Sequence, residues 1–302
     1  MDAHSARRQA NLFRSLHRNS GVLLLPCAWD VVSAKLYEEA GFSAIGTTSA
    51  GLASTLGHPD GQRIGIGETA GLVRRIAARV KIPVSADIEA GYSDSPEGAA
   101  SGARIVVEAG ASGLNIEDSL SGCGIDHYAT LFDAAAQCDR VCAIRGTFDD
   151  LGTPAVINAR TDVFLLAPTD LAEAADEAIR RGNAYLEAGA DCVFVPDMGN
   201  LTIDLIRKLA QEIEGPINLI AGENTPNVEQ LRKLGIARLS FGPRAMRTAL
   251  WHVQRMAAEW MEKGTYEQML AGKLGYDTVN GWFDESNGSR TSDSGSCETQ
   301  GG

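Results

Sequence analysis

The chain alternates short apolar runs with longer segments of helical character. Eight apolar runs recur through the first 241 residues, at residues 22–26, 44–48, 83–87, 113–116, 155–159, 191–195, 217–221 and 237–241. Between them lie helical stretches such as "VVSAKLYEEAG", "GETAGLVRRIAARV", "SPEGAASGARIVVEAG", "DLAEAADEAIRRGNAYLEAG" and "NVEQLRKLG". Buried strands that alternate with helices predict a parallel sheet, because each crossover between parallel strands needs a helix-length connection.

Four of these helices run into the same kind of phrase, namely "EEAGFSAI", "VEAGASGL", "LEAGADCV" and "RKLGIARL". Each phrase predicts a helix closed by a left-handed glycine, with a buried strand starting directly afterwards. The glycines concerned are Gly41, Gly110, Gly189 and Gly235. The repeated phrase supports a fold built from identical strand–helix units.

Eight such units over about 250 residues favour an α/β fold of the (β/α)8 TIM-barrel type. An open doubly wound sheet is the alternative, although no G-x-G-x-x-G follows a strand. We expect the barrel to occupy residues 1–262 and a C-terminal helical extension to occupy residues 263–284. The segment 285–302 is rich in small polar residues and is predicted to be a disordered tail.

The charge balance limits the partners that this chain can have. The sequence carries 39 acidic and 27 basic residues, a formal net charge of −12. This acidic balance argues against nucleic acid or an anionic membrane as a partner. It leaves room for a small anionic substrate, because a bound metal and one arginine can reverse the local field.

The cysteines and the N-terminus point to a cytoplasmic protein. Six cysteines occur without a CxxC pair, so we expect reduced thiols rather than a disulfide framework. The first twenty residues, "MDAHSARRQANLFRSLHRNS", contain no apolar signal core. No later apolar run approaches the length of a membrane span.

Acidic residues crowd the ends of the third and fourth predicted strands, where barrel enzymes carry their chemistry. In "ADIEAGY", Asp87 and Glu89 are two residues apart and project to one side of the strand. Glu117 and Asp118 end the next strand, and Arg160 ends the fifth. Unpaired carboxylates are costly to bury, and a divalent cation offsets that cost. The cluster predicts Mg²⁺ rather than zinc, because no set of His and Cys ligands accompanies it.

Other segments at the same predicted rim carry weaker signals. "GTTSAG" at residues 46–51 offers hydroxyls and backbone N–H groups that could cradle a carboxylate or phosphoryl group, or it is an ordinary turn. Asp60 lies in a loop that is longer than a minimal connection, beside His58, which we read as a plain loop residue. Asp118 has a structural alternative, because an aspartate at this place can cap a helix N-terminus.

Five motifs together resemble the isocitrate lyase/phosphoenolpyruvate mutase superfamily. They are "GFSAIGTTSAGLASTLGHPDG", "ADIEAGY", "LNIEDS", "INARTDVFL" and "EAGADCVFVPD", and the resemblance covers roughly residues 12–262. The resemblance implies a barrel whose mouth holds Mg²⁺, often through the waters of the metal, together with an α-keto acid or enolate. It also implies a homo-dimer or homo-tetramer, because relatives often exchange a C-terminal helix.

The resemblance also assigns roles to individual positions. It implies three metal-site acids, which are Asp87, Glu89 and Glu117. It implies substrate-binding residues at the turn after the second strand and at later strand ends, which are Thr47, Thr48, Ser49, Arg160 and Asp197. Asp60 matches the aspartate beside the metal, and with Arg160 it is an implied catalytic residue.

One departure leaves the reaction open. Isocitrate and methylisocitrate lyases carry a Lys-Lys/Arg-Cys-Gly-His segment whose cysteine serves as the acid. Here "EDSLSGCGIDHYA" retains Cys123 and the following glycine, without the basic pair or the adjacent histidine. Cys123 is therefore a candidate catalytic residue that lacks the nearby positive charge such a thiol benefits from. The asparagine-bearing gate loop of phosphoenolpyruvate mutases is also missing.

The leading interpretation is a Mg²⁺-dependent lyase or decarboxylase that breaks a C–C bond in a small 2-keto or 2-hydroxy di- or tricarboxylate. The metal and Arg160 would stabilise the developing enolate. Water or Tyr92 could complete the protonation. One alternative is a phosphonomutase acting on C–P bonds, and another is a non-catalytic barrel kept as an assembly subunit.

Overall fold

The computed structural model describes residues 2–284, except residues 20, 121–129, 167 and 198. Within these ranges a single sheet contains nine parallel strands. They are β1 (Leu23–Leu25), β2 (Cys27–Ala28), β3 (Ile45–Thr47), β4 (Val84–Asp87), β5 (Gly113–Glu117), β6 (Val156–Arg160), β7 (Cys192–Val195), β8 (Ile217–Ile220) and β9 (Arg238–Ser240). Their hydrogen-bonded order is β1-β9-β8-β7-β6-β5-β4-β3-β2.

The sheet closes into a barrel because β1 and β2 are two halves of one strand. Pro26 separates them, since proline has no N–H to donate to the ladder, but its carbonyl still accepts from the Gly46 N–H at 2.9 Å. β1 pairs with β9 and β2 pairs with β3, so the two ends of the strand order meet in one short segment. The predicted (β/α)8 barrel is confirmed, and the open sheet is excluded.

α-Helices alternate with the strands along the chain. They are α1 (Ala3–Leu16), α2 (Val31–Glu39), α3 (Ser49–Thr55), α4 (Ile66–Ala77), α5 (Pro96–Glu108), α6 (Ala134–Asp150), α7 (Leu171–Glu187), α8 (Ile203–Glu212), α9 (Val228–Lys233), α10 (Arg244–Lys263), α11 (Glu267–Ala271) and α12 (Tyr276–Gly281). A short 3₁₀ helix, Val163–Leu166, follows β6. None of the helices in the described ranges is both long and apolar enough to cross a lipid bilayer.

The chain divides into two compact units, the first ending at Thr248 and the second beginning at Ala249. The second unit contains most of α10 with α11 and α12. Within it, the Glu259 carboxylate accepts from the Thr265 hydroxyl at 2.6 Å and from the Gln268 N–H at 3.0 Å, which fixes the turn after α10. The predicted tail, residues 285–302, lies outside the described residues.

All four predicted glycine caps adopt the left-handed conformation. Gly41, Gly110, Gly189 and Gly235 have φ angles of 89°, 112°, 109° and 84°. After each glycine, the next backbone N–H reaches back to a carbonyl in the last helical turn, as in the 3.1 Å bond from Ile236 to Leu231. This pattern is the Schellman motif, and it turns the chain from each helix directly into the following strand.

Helix α1 closes the N-terminal end of the barrel with one aromatic ring. Phe13 is fully buried and packs with Leu23 and Val156, the first residues of β1 and β6. Gly113 opens β5, and a Cβ atom there would lie 2.8 Å from both the Phe13 ring and the Val156 carbonyl. Only glycine therefore lets the ring seat against the strand starts.

A polar layer lies inside the barrel, between this floor and the opposite rim. Arg238 is 1% exposed, and its Nη2 crosses the interior to donate to Asn115 Oδ1 at 3.2 Å. Asn158 donates to the same oxygen at 2.8 Å. Since side chains alternate along a strand, Asn115 and Asn158 lie directly below Glu117 and Arg160. The layer thus supports the two residues that end β5 and β6.

Two glycine substitutions are expected to have opposite effects. Gly235→Ala should lower the free energy of unfolding by about 1–2 kcal/mol, because its left-handed backbone disfavours a Cβ atom. Gly146→Ala, at an exposed site inside α6, should raise it by about 0.5–1 kcal/mol. Neither new methyl group meets an atom within 4 Å, so packing does not confound the pair. Urea denaturation measures both, and equal signs would contradict the backbone explanation.

Candidate active site

The C-terminal ends of three neighbouring strands bring charged side chains to one rim. Asp87 ends β4, Glu117 ends β5 and Arg160 ends β6. Glu117 and Arg160 are register partners, and Asp87 is paired with Asn115, two residues before Glu117. The sequence-predicted residues of these strands therefore meet in one place, at the edge where barrel enzymes bind their substrates.

Arg160 is held in one orientation by two carboxylates. Its Nη1 lies 2.8 Å from Glu117 Oε2, while its Nε and Nη2 donate to the two oxygens of Asp162 at 2.5 and 3.0 Å. Asp162 is buried and accepts in addition from the Ser119 hydroxyl at 2.6 Å. Burial lowers the pKa of Arg160, but the Asp162 and Glu117 charges more than offset it, so the net pKa is raised. The guanidinium is a permanent, oriented cation.

Sequence reasoning missed Asp162, although a signal for it was present. It follows Arg160 by two residues in "NARTD". That spacing alone does not show that the carboxylate turns back onto the arginine, because the chain leaves the strand between them. The contact depends on the backbone path, which also brings the Asp162 N–H onto Asp118 Oδ1 at 2.9 Å.

The turn after β3 orients Asp87. The Asp87 N–H donates to Thr47 Oγ1 at 2.9 Å, and the Ser49 N–H donates to Asp87 Oδ2 at 3.1 Å. Thr48, between them, is buried and precedes α3 as its N-cap residue. Two members of the predicted carboxylate cradle are therefore bonded to Asp87. The other oxygen of Asp87, Oδ1, is buried without a hydrogen-bond partner among the described residues.

A loop residue that the sequence analysis did not single out joins the site to its neighbouring loop. The Gln62 N–H donates to Glu89 Oε2 at 2.7 Å, and Gln62 Oε1 accepts from the Tyr92 N–H at 2.6 Å. Within the described ranges, Gln62, Glu89 and Tyr92 are the three non-glycine residues with positive φ, at 58°, 50° and 59°. Strained backbone of this kind persists where the surroundings over-determine it, and it clusters at functional sites.

The corner that follows Glu89 is anchored from two sides. The Tyr92 hydroxyl lies 2.8 Å from Thr69 Oγ1 on α4, and burial raises its pKa. From α6, the fully buried Arg140 donates to the Ala90 carbonyl and, at 3.1 Å, to the Ser93 carbonyl. Tyr92 is thus tied to the barrel wall, which weakens its candidacy as the final proton donor.

Burial and mutual repulsion raise the pKa values of three rim acids, Asp60, Glu89 and Glu117. The pKa of Glu89 is raised to about 8 by burial and by the charges of Asp60 and Asp87. Burial and the Asp87 charge also raise the pKa of Asp60. Burial raises the pKa of Glu117 even though Arg160 opposes the shift. One arginine therefore does not neutralise this set of acids.

These residues fit a hard divalent cation. Asp60 Oδ1 and Asp87 Oδ1 are both buried without hydrogen-bond partners in the described part of the chain, and carboxylate oxygens are the ligands that Mg²⁺ prefers. Across residues 2–284, outside the gaps given above, no three His, Cys, Asp or Glu side chains already converge at the spacing of a directly coordinated metal. Mg²⁺ commonly keeps several of its waters, so carboxylates can also hold it through them.

Asp118 points away from the rim and is part of the barrel wall. It is fully buried, and its Oδ2 accepts from the Tyr185 hydroxyl at 2.8 Å and from Arg181 at 3.2 Å, both on α7. The alternation along β5 accounts for this, since Asp118 follows Glu117 and faces the opposite side. Asp118 is the N-cap of none of the described helices, and its structural role there is a buried ion pair with Arg181.

The other predicted residues are Asp197, His58 and Cys123. Asp197, after β7, accepts from the Gly199 N–H at 2.7 Å and from the Leu201 N–H at 3.2 Å, so it closes its own turn. His58 is an exposed loop residue, as expected. Cys123 lies outside the described residues, and its catalytic role stays a prediction.

A second arginine at the rim was also missed. Arg244 begins α10 directly after β9, and a Cβ atom on Gly222 would lie 3.2 Å from its Nη2. Gly222 follows β8, so the guanidinium lies beside the loops of the last two strands. Arg244 is exposed, and no carboxylate pairs with it in the part of the chain that the structure describes.

A (β/α)8 barrel with acids and an arginine gathered at its C-terminal rim is the arrangement seen in barrel enzymes. Comparison with known proteins identifies the family. Residues 13–261 match the model of the family described as phosphoenolpyruvate phosphomutase. The chain belongs to this family, within the isocitrate lyase/phosphoenolpyruvate mutase superfamily of lyases and mutases.

Individual relatives agree with this placement. An uncharacterized protein of Mycobacterium tuberculosis is 36% identical over 232 residues, which are 76% of this chain and 81% of the relative. The 2-methylisocitrate lyase of Bacillus subtilis is 28% identical over 286 residues, 91% of both chains. The crystal structure of a Burkholderia cenocepacia protein, provisionally assigned as a lyase/mutase, superposes with a TM-score of 0.83 at 32% identity, covering 93% of this chain and 97% of that one.

Asp118 and Asp87 should differ sharply in their effect on stability. Asp118→Ala should lower the free energy of unfolding by about 2–4 kcal/mol, because it removes the buried acceptor of the Tyr185 hydroxyl and the partner of Arg181 Nη1, while Arg181 Nε keeps its bond to Glu177. Asp87→Ala should stay within about 1 kcal/mol of the parent in metal-free protein, because it removes a carboxylate with an unpaired oxygen. Urea unfolding in EDTA measures both, and similar losses would contradict the division between wall and rim.

The raised pKa of Glu89 makes metal-free stability depend on pH. Between the ordinary value of 4.5 and about 8, the folded protein keeps a proton that the unfolded chain loses. Stability should therefore fall as pH rises through this interval. Glu89→Gln should remove this contribution, so its stability advantage over the parent should grow from pH 5 to pH 8. A difference that stays constant across that range would contradict the assignment.

Proposed function

We propose that the protein is a Mg²⁺-dependent lyase that breaks a C–C bond in a small 2-keto or 2-hydroxy di- or tricarboxylate. The observation that carries the proposal is the oriented Arg160 guanidinium beside a set of acids with unpaired oxygens. Cleavage of a C–C bond next to a carbonyl leaves an enolate, and such a site stabilises negative charge at a defined point.

The acids of the rim would hold the metal. Asp87, Glu89 and Glu117 supply the carboxylates, with Asp60 beside them, and they would engage Mg²⁺ chiefly through its waters. When bound, the ion supplies Lewis-acid stabilisation of the developing enolate oxygen. It would also relieve the repulsion that raises the pKa of Glu89.

Arg160 would bind and orient a carboxylate of the substrate. A guanidinium has five N–H donors, and Glu117 and Asp162 use three of them. Two donors remain for the substrate, from a group whose direction the two carboxylates have already fixed. Because no rotamer freedom is lost at that moment, the binding energy goes into holding the reacting bond in place.

Arg244 favours a substrate with more than one carboxylate. It lies on the far side of the rim, beside the loops after β8 and β9, and has no carboxylate partner among the described residues. Two separated cations around one acidic metal site match a substrate with two or three carboxylates better than a keto acid with one carboxylate. The 2-methylisocitrate lyase relative supports the same reading, since its name describes cleavage of a tricarboxylate.

Ligand-dependent stability is the first test of the site. Mg²⁺ together with oxalate, which mimics an enolpyruvate, should raise the melting temperature, because a ligand that binds only the folded state stabilises it. Asp87→Asn should abolish the shift. Asp204→Asn is the matched control and should keep the shift, because this exposed carboxylate pairs with Arg207 on its own helix. An unchanged melting temperature in the parent protein would exclude the proposed site and favour a non-catalytic barrel.

The reaction itself is tested with a panel of 2-keto and 2-hydroxy di- and tricarboxylates. Release of pyruvate or glyoxylate that depends on Mg²⁺ and is lost in Asp87→Asn would support the lyase. The family also contains mutases, so phosphoenolpyruvate should be followed by phosphorus NMR in parallel. Formation of a C–P bond without any C–C cleavage would replace the lyase by a phosphonomutase.

We also propose that the protein is a cytoplasmic homo-dimer or homo-tetramer. The second unit exposes large apolar side chains along α10 and beyond, among them Leu250, Trp251, Met261, Leu270 and Tyr276 at 50–88% exposure. Surfaces of this kind mark contact sites rather than solvent-facing ones. Sedimentation velocity distinguishes these assemblies from a monomer.

A further inference from the structure

A cavity of about 560 Å³ that is open to solvent lies at the opposite end of the barrel from the acidic rim. Its walls are the N-terminal half of α1, the end of α4 and the turn into β4. Lys81 lies in that turn, three residues before β4 begins, whereas Asp87 ends β4 at the rim. The cavity is therefore separate from the proposed active site by the full length of a strand.

Among the described residues, three cations line this cavity and no acid does. Arg8 comes from α1, Arg74 from α4 and Lys81 from the following turn, and the described part of the wall contains no Asp or Glu. This is unusual in a chain with 39 acidic and 27 basic residues. Within the described ranges, none of the three side-chain charges pairs with a carboxylate. Glu38, which contacts the turn, is bonded to the Lys81 backbone N–H and to the Lys35 ammonium.

Helix dipoles do not account for the three charges. The C-terminal ends of α4 and α5 reach the cavity, and cations are favourable at such ends. Each end carries about half a negative charge, so the two ends offset roughly one of the three cations. Only Arg74 lies in a last helical turn, that of α4. A surplus of roughly two positive charges remains over the cavity.

The cavity also offers an acceptor for a hydroxyl group. Gln9 lines it and donates from Nε2 to the Lys81 carbonyl at 2.7 Å, which ties α1 to the turn. Its Oε1 is buried without a hydrogen-bond partner among the described residues. Ser5 and Arg8 lie on the same face of α1 as Gln9, because residues three and four apart are neighbours on a helix.

We propose that this cavity binds a small organic phosphate that also carries hydroxyl groups, such as a sugar phosphate. A phosphoryl group presents three oxygens and close to two negative charges, which matches three cations whose side chains pair with no described carboxylate. The unpaired Gln9 carbonyl accepts from a hydroxyl of the same molecule. The volume lies in the range of small-molecule sites. The proposal does not depend on the reaction performed at the rim.

Calorimetric titration of the full chain with glucose 6-phosphate, in EDTA and at fixed ionic strength, tests the proposal. Binding should be stronger than that of inorganic phosphate, and glucose should not bind. Arg8→Ala and Arg74→Ala should each weaken binding at least tenfold, and both sites are on the surface, so the fold should persist. Arg207→Ala on α8 removes the same charge elsewhere and should leave the affinity unchanged.

Three outcomes would overturn the proposal. The first is the absence of binding, or a heat signal that follows ionic strength alone. The second is an affinity that Arg8→Ala and Arg74→Ala do not change. The third is loss of binding in Arg244→Ala with binding retained in the two cavity variants, which would place the ligand at the rim.

Discussion

Electrostatic repulsion among carboxylates at one rim is the constraint that shapes the rest of this protein. Asp60, Asp87, Glu89 and Glu117 come from three loops and strand ends, and burial makes their charges costly. The fold offsets part of this cost, because Arg160 pairs with Glu117 and the backbone N–H groups of Gln62 and Ser49 donate to Glu89 and Asp87. These contacts reduce the repulsion without removing it, which leaves the rim poised for a cation of higher charge.

The surrounding structure is built to hold the acids against that repulsion. Gln62, Glu89 and Tyr92 interlock in left-handed conformations, and Arg140 ties the same corner to α6. Behind the rim, Asp118 fixes β5 to α7 through Arg181. Backbone strain and buried ion pairs both cost stability, so their concentration around one rim supports a functional origin.

The sequence predicted most of the fold because the relevant signals are local. Apolar runs gave all eight strand positions, and the four repeated glycine phrases gave the caps, since a helix end and its glycine are neighbours in sequence. The acids Asp87 and Glu117 were found for the same reason, as each ends a recognisable strand. The break at Pro26 inside the first strand was not anticipated, because the two halves pair with different neighbours.

The residues that were missed depend on backbone path rather than on pattern. Asp162 reaches Arg160 only because the chain bends after β6, and Gln62 reaches Glu89 across 27 residues. Arg244 lies at the rim because α10 starts only four residues after the last residue of β9. Predicting which side of the strand Asp118 faces would have required the register of β5. None of these relations leaves a periodic trace in the sequence.

Phe13 makes the first helix a structural component of the barrel, because its ring packs against the strand starts at the N-terminal end. The ring closes the N-terminal end of the barrel. Above it lies the Arg238 guanidinium, 5.9 Å from the ring centroid and almost completely buried. A shortened chain that begins after α1 would admit water to that charge from below. The N-terminal helix thus shields from water the polar layer on which Glu117 and Arg160 rest.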